Sequence, residues 1–187
     1  TLMLAAETAR ELGVRELILV APYLCYMRQD IAFEPGQAVS QRIVGRFLAR
    51  LFDAVITVDP HLHRIDRLSQ AVPAQRAVAL SAAPEIGRLL AGRQPRPLLL
   101  GPDAESLQWV RAAAEAGGGL DHAVCEKTRL GDRSVQIRLP ALPLAGRAGV
   151  LVDDVASSGH TLARAAAQAL AAGAASVDVA ITHALFA

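Results

Sequence analysis

Short apolar runs alternate along the chain with stretches in which apolar residues recur every three or four positions. Glu16–Ala21, Ala54–Val58 and Ala77–Ser81 read as strands. Gln37–Phe52 and Pro84–Leu90 read as helices, the first marked by the spacing of Val39, Ile43, Phe47 and Leu51. The alternation resumes after residue 97, with strands over Leu98–Leu100, Ala123–Cys125, Val135–Leu139, Val150–Val152 and Val177–Ile181, and helices over Ala104–Ala116 and Leu162–Ala172. This order predicts an α/β protein with mainly parallel sheets and flanking helices. The segment Gly92–Pro97, with its two prolines, reads as the linker, so residues 1–91 and 92–187 are the expected domains. At the start, Leu2, Leu4, Ala5, Ala9 and Leu12 share one helical face without a capping residue before them. At the end, the last strand stops before a helix could return to cover it, so the chain reads as truncated at both ends.

Composition narrows the class. Over 187 residues, 52% hydrophobic and 20% charged side chains exclude intrinsic disorder. Nineteen Lys and Arg against 18 Asp and Glu leave a net charge of +1, so no global field recruits nucleic acid or anionic lipid. Mean hydropathy is +0.31, yet charged residues, Gly or Pro interrupt every apolar stretch short of the roughly 20 residues that a spanning helix needs. Cys25 and Cys125 form neither a disulfide framework nor a metal-binding spacing, so a cytoplasmic protein is expected, with no nucleic-acid or membrane partner.

In parallel α/β sheets, ligands bind at the carboxyl ends of the strands, and several of these ends are unusually polar. Gly149–Thr161 is an apolar strand that runs into Asp153 and Asp154, then a turn of small residues, then a helix. Paired carboxylates can accept hydrogen bonds from vicinal ribose hydroxyls. The backbone N–H groups and hydroxyls of Ser157, Ser158, Gly159 and Thr161 can surround a phosphate at the helix start. A capped helix with Ser157 or Ser158 as N-cap is the plainer reading, but it leaves the desolvation of two aspartates unexplained.

Three further segments carry candidate chemistry. The loop Pro22–Asp30 offers Tyr23, Tyr26, Arg28, Gln29 and Asp30, a set that suits a purine and its phosphates or, equally, a surface turn with a salt bridge. Asp59 and His61 follow the second strand and can face one crevice. The acid suits Mg²⁺, whereas the imidazole more commonly contacts a phosphate, binds softer metals or caps a strand. Asp103, after Leu98–Leu100, is a further carboxylate at a strand end or a helix N-cap. Lys127 is the single lysine among 19 basic residues. With Arg129 it can set two cations on a transferring phosphoryl group, or tip a solvated hairpin.

The stretch from Asp153 to Thr161 resembles the phosphoribosyl-pyrophosphate loop of type I phosphoribosyltransferases and ribose-phosphate pyrophosphokinases, except that Ser157 stands where many members carry an acid and His160 replaces a small residue. Tyr-x-x-Tyr-x-Arg-Gln-Asp at Tyr23–Asp30, Asp-x-His at Asp59–His61, Pro-Asp at Asp103 and Lys-x-Arg at Lys127–Arg129 occur in the order seen in the pyrophosphokinases. The resemblance implies two phosphoribosyltransferase-like domains. It further implies transfer of the diphosphoryl group of Mg·ATP to ribose 5-phosphate, giving phosphoribosyl pyrophosphate and AMP. By the same resemblance Arg28, Gln29, Asp30 and His61 contact ATP, and Asp59, His61 and Asp103 hold Mg²⁺. Asp153, Asp154, Ser157, Ser158, Gly159 and Thr161 bind ribose 5-phosphate, and Lys127 and Arg129 are catalytic. A homo-oligomer with the ATP site between subunits is implied too. The alternatives are a phosphoribosyltransferase, which would not need Arg28–Asp30 or Lys127, and a non-catalytic regulatory homologue, which Glu105 and His160 keep open.

Overall fold

The structure, a computed structural model, describes residues 1–129, 135–138 and 143–186, with 127–129 and 135–138 described by their backbone alone. Two compact units divide the chain between Leu80 and Ser81.

The first unit contains α1 (Leu2–Glu11), β1 (Ile18–Val20), α2 (Ser40–Leu51), β2 (Ala54–Val58), a 3₁₀ turn at Leu68–Gln70 and β3 (Arg76–Leu80). Its sheet is parallel in the order β1-β2-β3, with Val20 opposite Ile56 and Ile56 opposite Val78. Strand β2 takes the centre because Val55, Ile56, Thr57 and Val58 are β-branched, and Val55 is fully buried. Leu24, Met27, Leu48, Phe52, Leu68 and Val72 pack with Val55 into the core. Helix α2 sits differently from its apolar spacing. Gln41, Gly45, Leu48 and Leu51 face inward, while Ile43 is 47% exposed. Gln41 is admitted because its amide donates to the carbonyl of Met27 at 3.2 Å, which satisfies the buried polar group.

The second unit runs α3 (Ala83–Ala91), β4 (Leu98–Gly101), a 3₁₀ turn at Ala104–Ser106, α4 (Leu107–Ala116), β5 (His122–Val124), β6 (Glu126–Arg129), β7 (Val135–Arg138), β8 (Ala148–Ala156), α5 (His160–Ala171) and β9 (Ser176–Ala184). Its main sheet is parallel in the order β5-β4-β8-β9, and β6 pairs with β7 as a separate antiparallel ribbon. Strand alternation sends Leu98, Leu100 and Leu151 to the face covered by Leu162, Ala165 and Ala169 of α5. Leu99, Val150 and Val152 point the other way, against Trp109, Val110 and Ala113 of α4 and Leu90 of α3. Both faces of β4 and β8 are therefore covered, which explains why these strands read as unbroken apolar runs.

The division between the units falls before the Gly92–Pro97 segment, because α3 packs on α4 and so belongs with the second unit. A Cβ built on Gly87 would lie 2.1 Å from the carbonyl oxygen of Ala113, so only glycine permits this approach. Strand β6 has no apolar alternation in Glu126-Lys127-Thr128-Arg129, so hydropathy does not mark it. Backbone pairing creates it, with Lys127 opposite Ile137 and Arg129 opposite Val135.

Candidate functional site

Strands β4 and β8 are parallel neighbours, with Leu100 opposite Leu151, so their carboxyl ends lie at one edge of the sheet. Strand β8 continues past its apolar part through Asp153 and Asp154 to Ala156, paired with β9 up to Ala184. Asp154 is 2% exposed, and Asp153 is half-buried. Burial pushes the Asp153 carboxyl up to about 8, with the Asp154 charge adding to it and Asp103 contributing less. One bond opposes the shift: the backbone N–H of Asp154 donates to Asp153 Oδ1 at 3.0 Å. Three carboxylates from two strand ends thus act on one another, an arrangement that a bound cation or sugar hydroxyls would relieve.

Asp103 also caps the 3₁₀ turn. Its side chain accepts from the Glu105 N–H at 3.1 Å, and the Ser106 hydroxyl donates to its carbonyl at 2.6 Å. The cap reading and the site reading of Asp103 are therefore compatible. The buried Cys125 thiol, just beyond β5, is pushed up to about 11 by burial and then by the Asp103 charge, which makes it inert. Its backbone N–H donates to the Gly101 carbonyl at 2.8 Å, so β6, with Lys127 and Arg129, leaves from the same sheet edge as Asp103.

Beyond β8, Ser157, Ser158 and Gly159 form the turn onto α5. Gly159, with φ of 75°, is the N-cap residue of the helix, in place of either serine. Its left-handed backbone turns the chain so that α5 begins at His160, with the two serines just before it and Thr161 in its first turn. His160 is exposed at this start.

In the first unit, the loop after β1 is tied to α2. The Ser40 hydroxyl donates to the Tyr26 carbonyl at 3.0 Å, and the Gln41 N–H donates to the Gln29 carbonyl at 3.2 Å. Arg28 is exposed, Gln29 is half-buried, and Asp30 is paired with Arg64 Nε at 3.3 Å. Asp59, 4% exposed, follows β2 in a left-handed backbone with φ of 40°, and its N–H donates to the Leu80 carbonyl at 2.8 Å. His61 follows, with the ring of His63 edge-on against it at a centroid distance of 3.7 Å. From the sequence His63 carries no assigned role and Arg64 is unmarked. The His-x-His spacing was the only signal, and Arg64 carried none.

These features define a parallel α/β class with acidic strand ends and a small-residue turn at a helix start. No family model matches the chain. The chain is 39% identical over 186 residues to the ribose-phosphate pyrophosphokinase of Methanopyrus kandleri, covering 98% of this chain and 62% of that protein. It is 33% identical over 186 residues to that of Thermococcus kodakarensis, covering 100% of this chain and 65% of the relative. A crystal structure of phosphoribosylpyrophosphate synthetase from Mycobacterium smegmatis superposes with a TM-score of 0.84 at 21% identity, covering 99% of this chain and 59% of that one, and shows the shared fold. By sequence, the chain belongs to the ribose-phosphate pyrophosphokinase family. It spans a little over three fifths of the length of these curated relatives, 62% and 65%.

Proposed function

We propose that the protein is a ribose-phosphate diphosphokinase, transferring the β,γ-diphosphoryl group of Mg·ATP to ribose 5-phosphate. The observation that carries this reading is the meeting of Asp103, Asp153 and Asp154 at one sheet edge, directly before the turn onto α5, in a chain related to named pyrophosphokinases. Asp153 and Asp154 accept hydrogen bonds from the ribose hydroxyls. Ser157, Ser158, Gly159 and Thr161 hold the 5-phosphate through hydroxyls and backbone N–H groups. The anomeric oxygen attacks the β-phosphorus in line, the bond from that phosphorus to the bridging oxygen breaks, and AMP departs. The anomeric proton passes to solvent. Lys127 and Arg129 offset charge on the transferring group, and Arg28, Gln29, Asp30 and His61 bind the nucleotide.

The donor set fits a hard divalent cation. Carboxylate oxygens suit Mg²⁺, and a cation would relieve the cost that burial, with the Asp154 and Asp103 charges, places on the Asp153 carboxylate. Asp59 and His61 in the first unit and Asp103 in the second are the proposed Mg²⁺ ligands. Bound there, Mg²⁺ would offset the negative charge of the phosphates. The reading also carries a homo-oligomer in which a neighbouring subunit completes the ATP site.

The test is AMP release from Mg·ATP with and without ribose 5-phosphate, beside a Lys127→Ala control. AMP that depends on the sugar and vanishes in the control supports the proposal. Binding of both substrates without AMP release would instead make the protein a regulatory homologue.

A further inference from the structure

Helix α2 opens against the loop that follows β1 and takes hold of its main chain. The Ser40 hydroxyl donates to the Tyr26 carbonyl at 3.0 Å. Gln41 then binds on either side of Arg28: its side-chain Nε2 donates to the Met27 carbonyl, and its backbone N–H to the Gln29 carbonyl, both at 3.2 Å. Gln41 and Met27 are each 2% exposed, so the side-chain bond is made away from water, where a carbonyl left without a donor is costly. Between the two held carbonyls Arg28 is exposed, and its guanidinium pairs with no acid among the described residues. Tyr26, with φ of 65°, takes a left-handed backbone that a large side chain adopts only where its surroundings fix it. The turn is therefore shaped by α2 and not by its own sequence alone.

We infer that Gln41 is a positioning residue for Arg28: by gripping the main chain on both sides of it, Gln41 fixes the direction in which the guanidinium leaves the loop toward an anionic ligand. A guanidinium recognises phosphate through a planar fork of donors, so its worth depends on orientation as well as on charge. The inference rests on the proposed function for the identity of that ligand as a nucleotide, while the grip on the loop does not depend on it. Gln41 itself is buried and touches no substrate in this scheme.

The test measures Mg·ATP affinity in the unaltered protein, Gln41→Met, Arg28→Ala and the double variant. Methionine keeps the volume of glutamine without its donor. Gln41→Asn, whose amide stops a methylene short of the Met27 carbonyl, repeats the test with a polar side chain in case methionine does not fold. Either folded variant is expected to bind Mg·ATP roughly tenfold more weakly and ribose 5-phosphate as before, and to add nothing once Arg28 is alanine. Unchanged Mg·ATP affinity overturns the inference. So does a weakening that persists in the Arg28→Ala background, because a purely structural role would act without Arg28. If the unaltered protein binds no Mg·ATP, the pyrophosphokinase reading falls, and the grip is read from backbone ¹⁵N–¹H spectra. Displaced Arg28 and Gln29 signals in the Gln41 variants then support it, and unmoved signals overturn it.

Discussion

Asp154 donates its backbone N–H to the carboxyl of Asp153 across 3.0 Å, the one contribution that lowers a carboxyl which burial and neighbouring charge raise to about 8. The folded chain therefore holds this proton more tightly than the unfolded chain, in which the value is near 3.8. By linkage, the stability contributed by Asp153 is fully present below the unfolded value and is lost as pH rises toward about 8. In ligand-free protein, Asp153→Asn is expected to flatten the decline in melting temperature between about pH 5 and 9, and at the upper end to exceed the unaltered protein by at least ~1.4 kcal/mol, the equivalent of one pKa unit. Mg²⁺ with ribose 5-phosphate should flatten the same slope in the unaltered protein. A variant that melts in parallel with its parent at every pH would show that the Asp153 carboxyl is not raised in the folded chain.

Gly159 separates strain from function. Its φ of 75° disfavours any side chain, yet a Cβ there would meet only Phe186 at 3.8 Å, an ordinary contact. Gly159→Ala is thus expected to lose about 1–2 kcal/mol through backbone strain alone. Gly146, with φ of 72° and open space around its missing Cβ, is the matched control away from the turn. Both variants should melt lower by similar amounts, and only Gly159→Ala should weaken binding of ribose 5-phosphate. Equal affinities in the two variants would place the phosphate elsewhere.

What the sequence disclosed and what it hid follow one physical division. Strands β2, β4 and β8 and helices α4 and α5 are legible because burial writes a period into their side chains, as in Leu98–Leu100 and Val150–Val152. Strand β6 is written only in backbone pairing, and β8 runs on through two aspartates where hydropathy stops. The orientation of α2 depends on Gln41 and Gly45, neither of which an apolar spacing registers. In the site, Asp103, Asp153 and Asp154 were visible as carboxylates at strand ends, since the topology rule names those ends in advance. The contacts of His63 and Arg64 were not, because an imidazole edge and a cross-loop ion pair exist only after the loops are placed.

The approach of α3 to α4 gives a prediction independent of chemistry. At Gly87 an added methyl would overlap the Ala113 carbonyl, a backbone atom that cannot swing aside. Gly87→Ala should cost about 1–3 kcal/mol, as overpacking in a filled core does, despite the better helix propensity of alanine. A denaturation midpoint at or above that of the parent protein would mean that the helices separate freely, and their contact would not then define the second unit.

Arg64 and Asp30 provide the last discrimination, between a bridge that stabilises the fold and one that orients the nucleotide loop. Arg64 Nε stands 3.3 Å from Asp30 Oδ1, with side-chain exposures of 56% and 10%. An ion pair this open at one end contributes roughly 0.2–1 kcal/mol to stability, so Arg64→Ala should barely move the melting temperature. Its effect on nucleotide binding is expected to be larger, because the bridge ties the Tyr23–Asp30 loop to the segment that follows His61. Arg64→Ala should raise KM for ATP about threefold to tenfold with kcat little changed, the mark of lost uniform binding. The double variant with Asp30→Asn should add little further, since both single changes release the same bridge. If the two effects are instead fully additive, Asp30 binds nucleotide without help from Arg64.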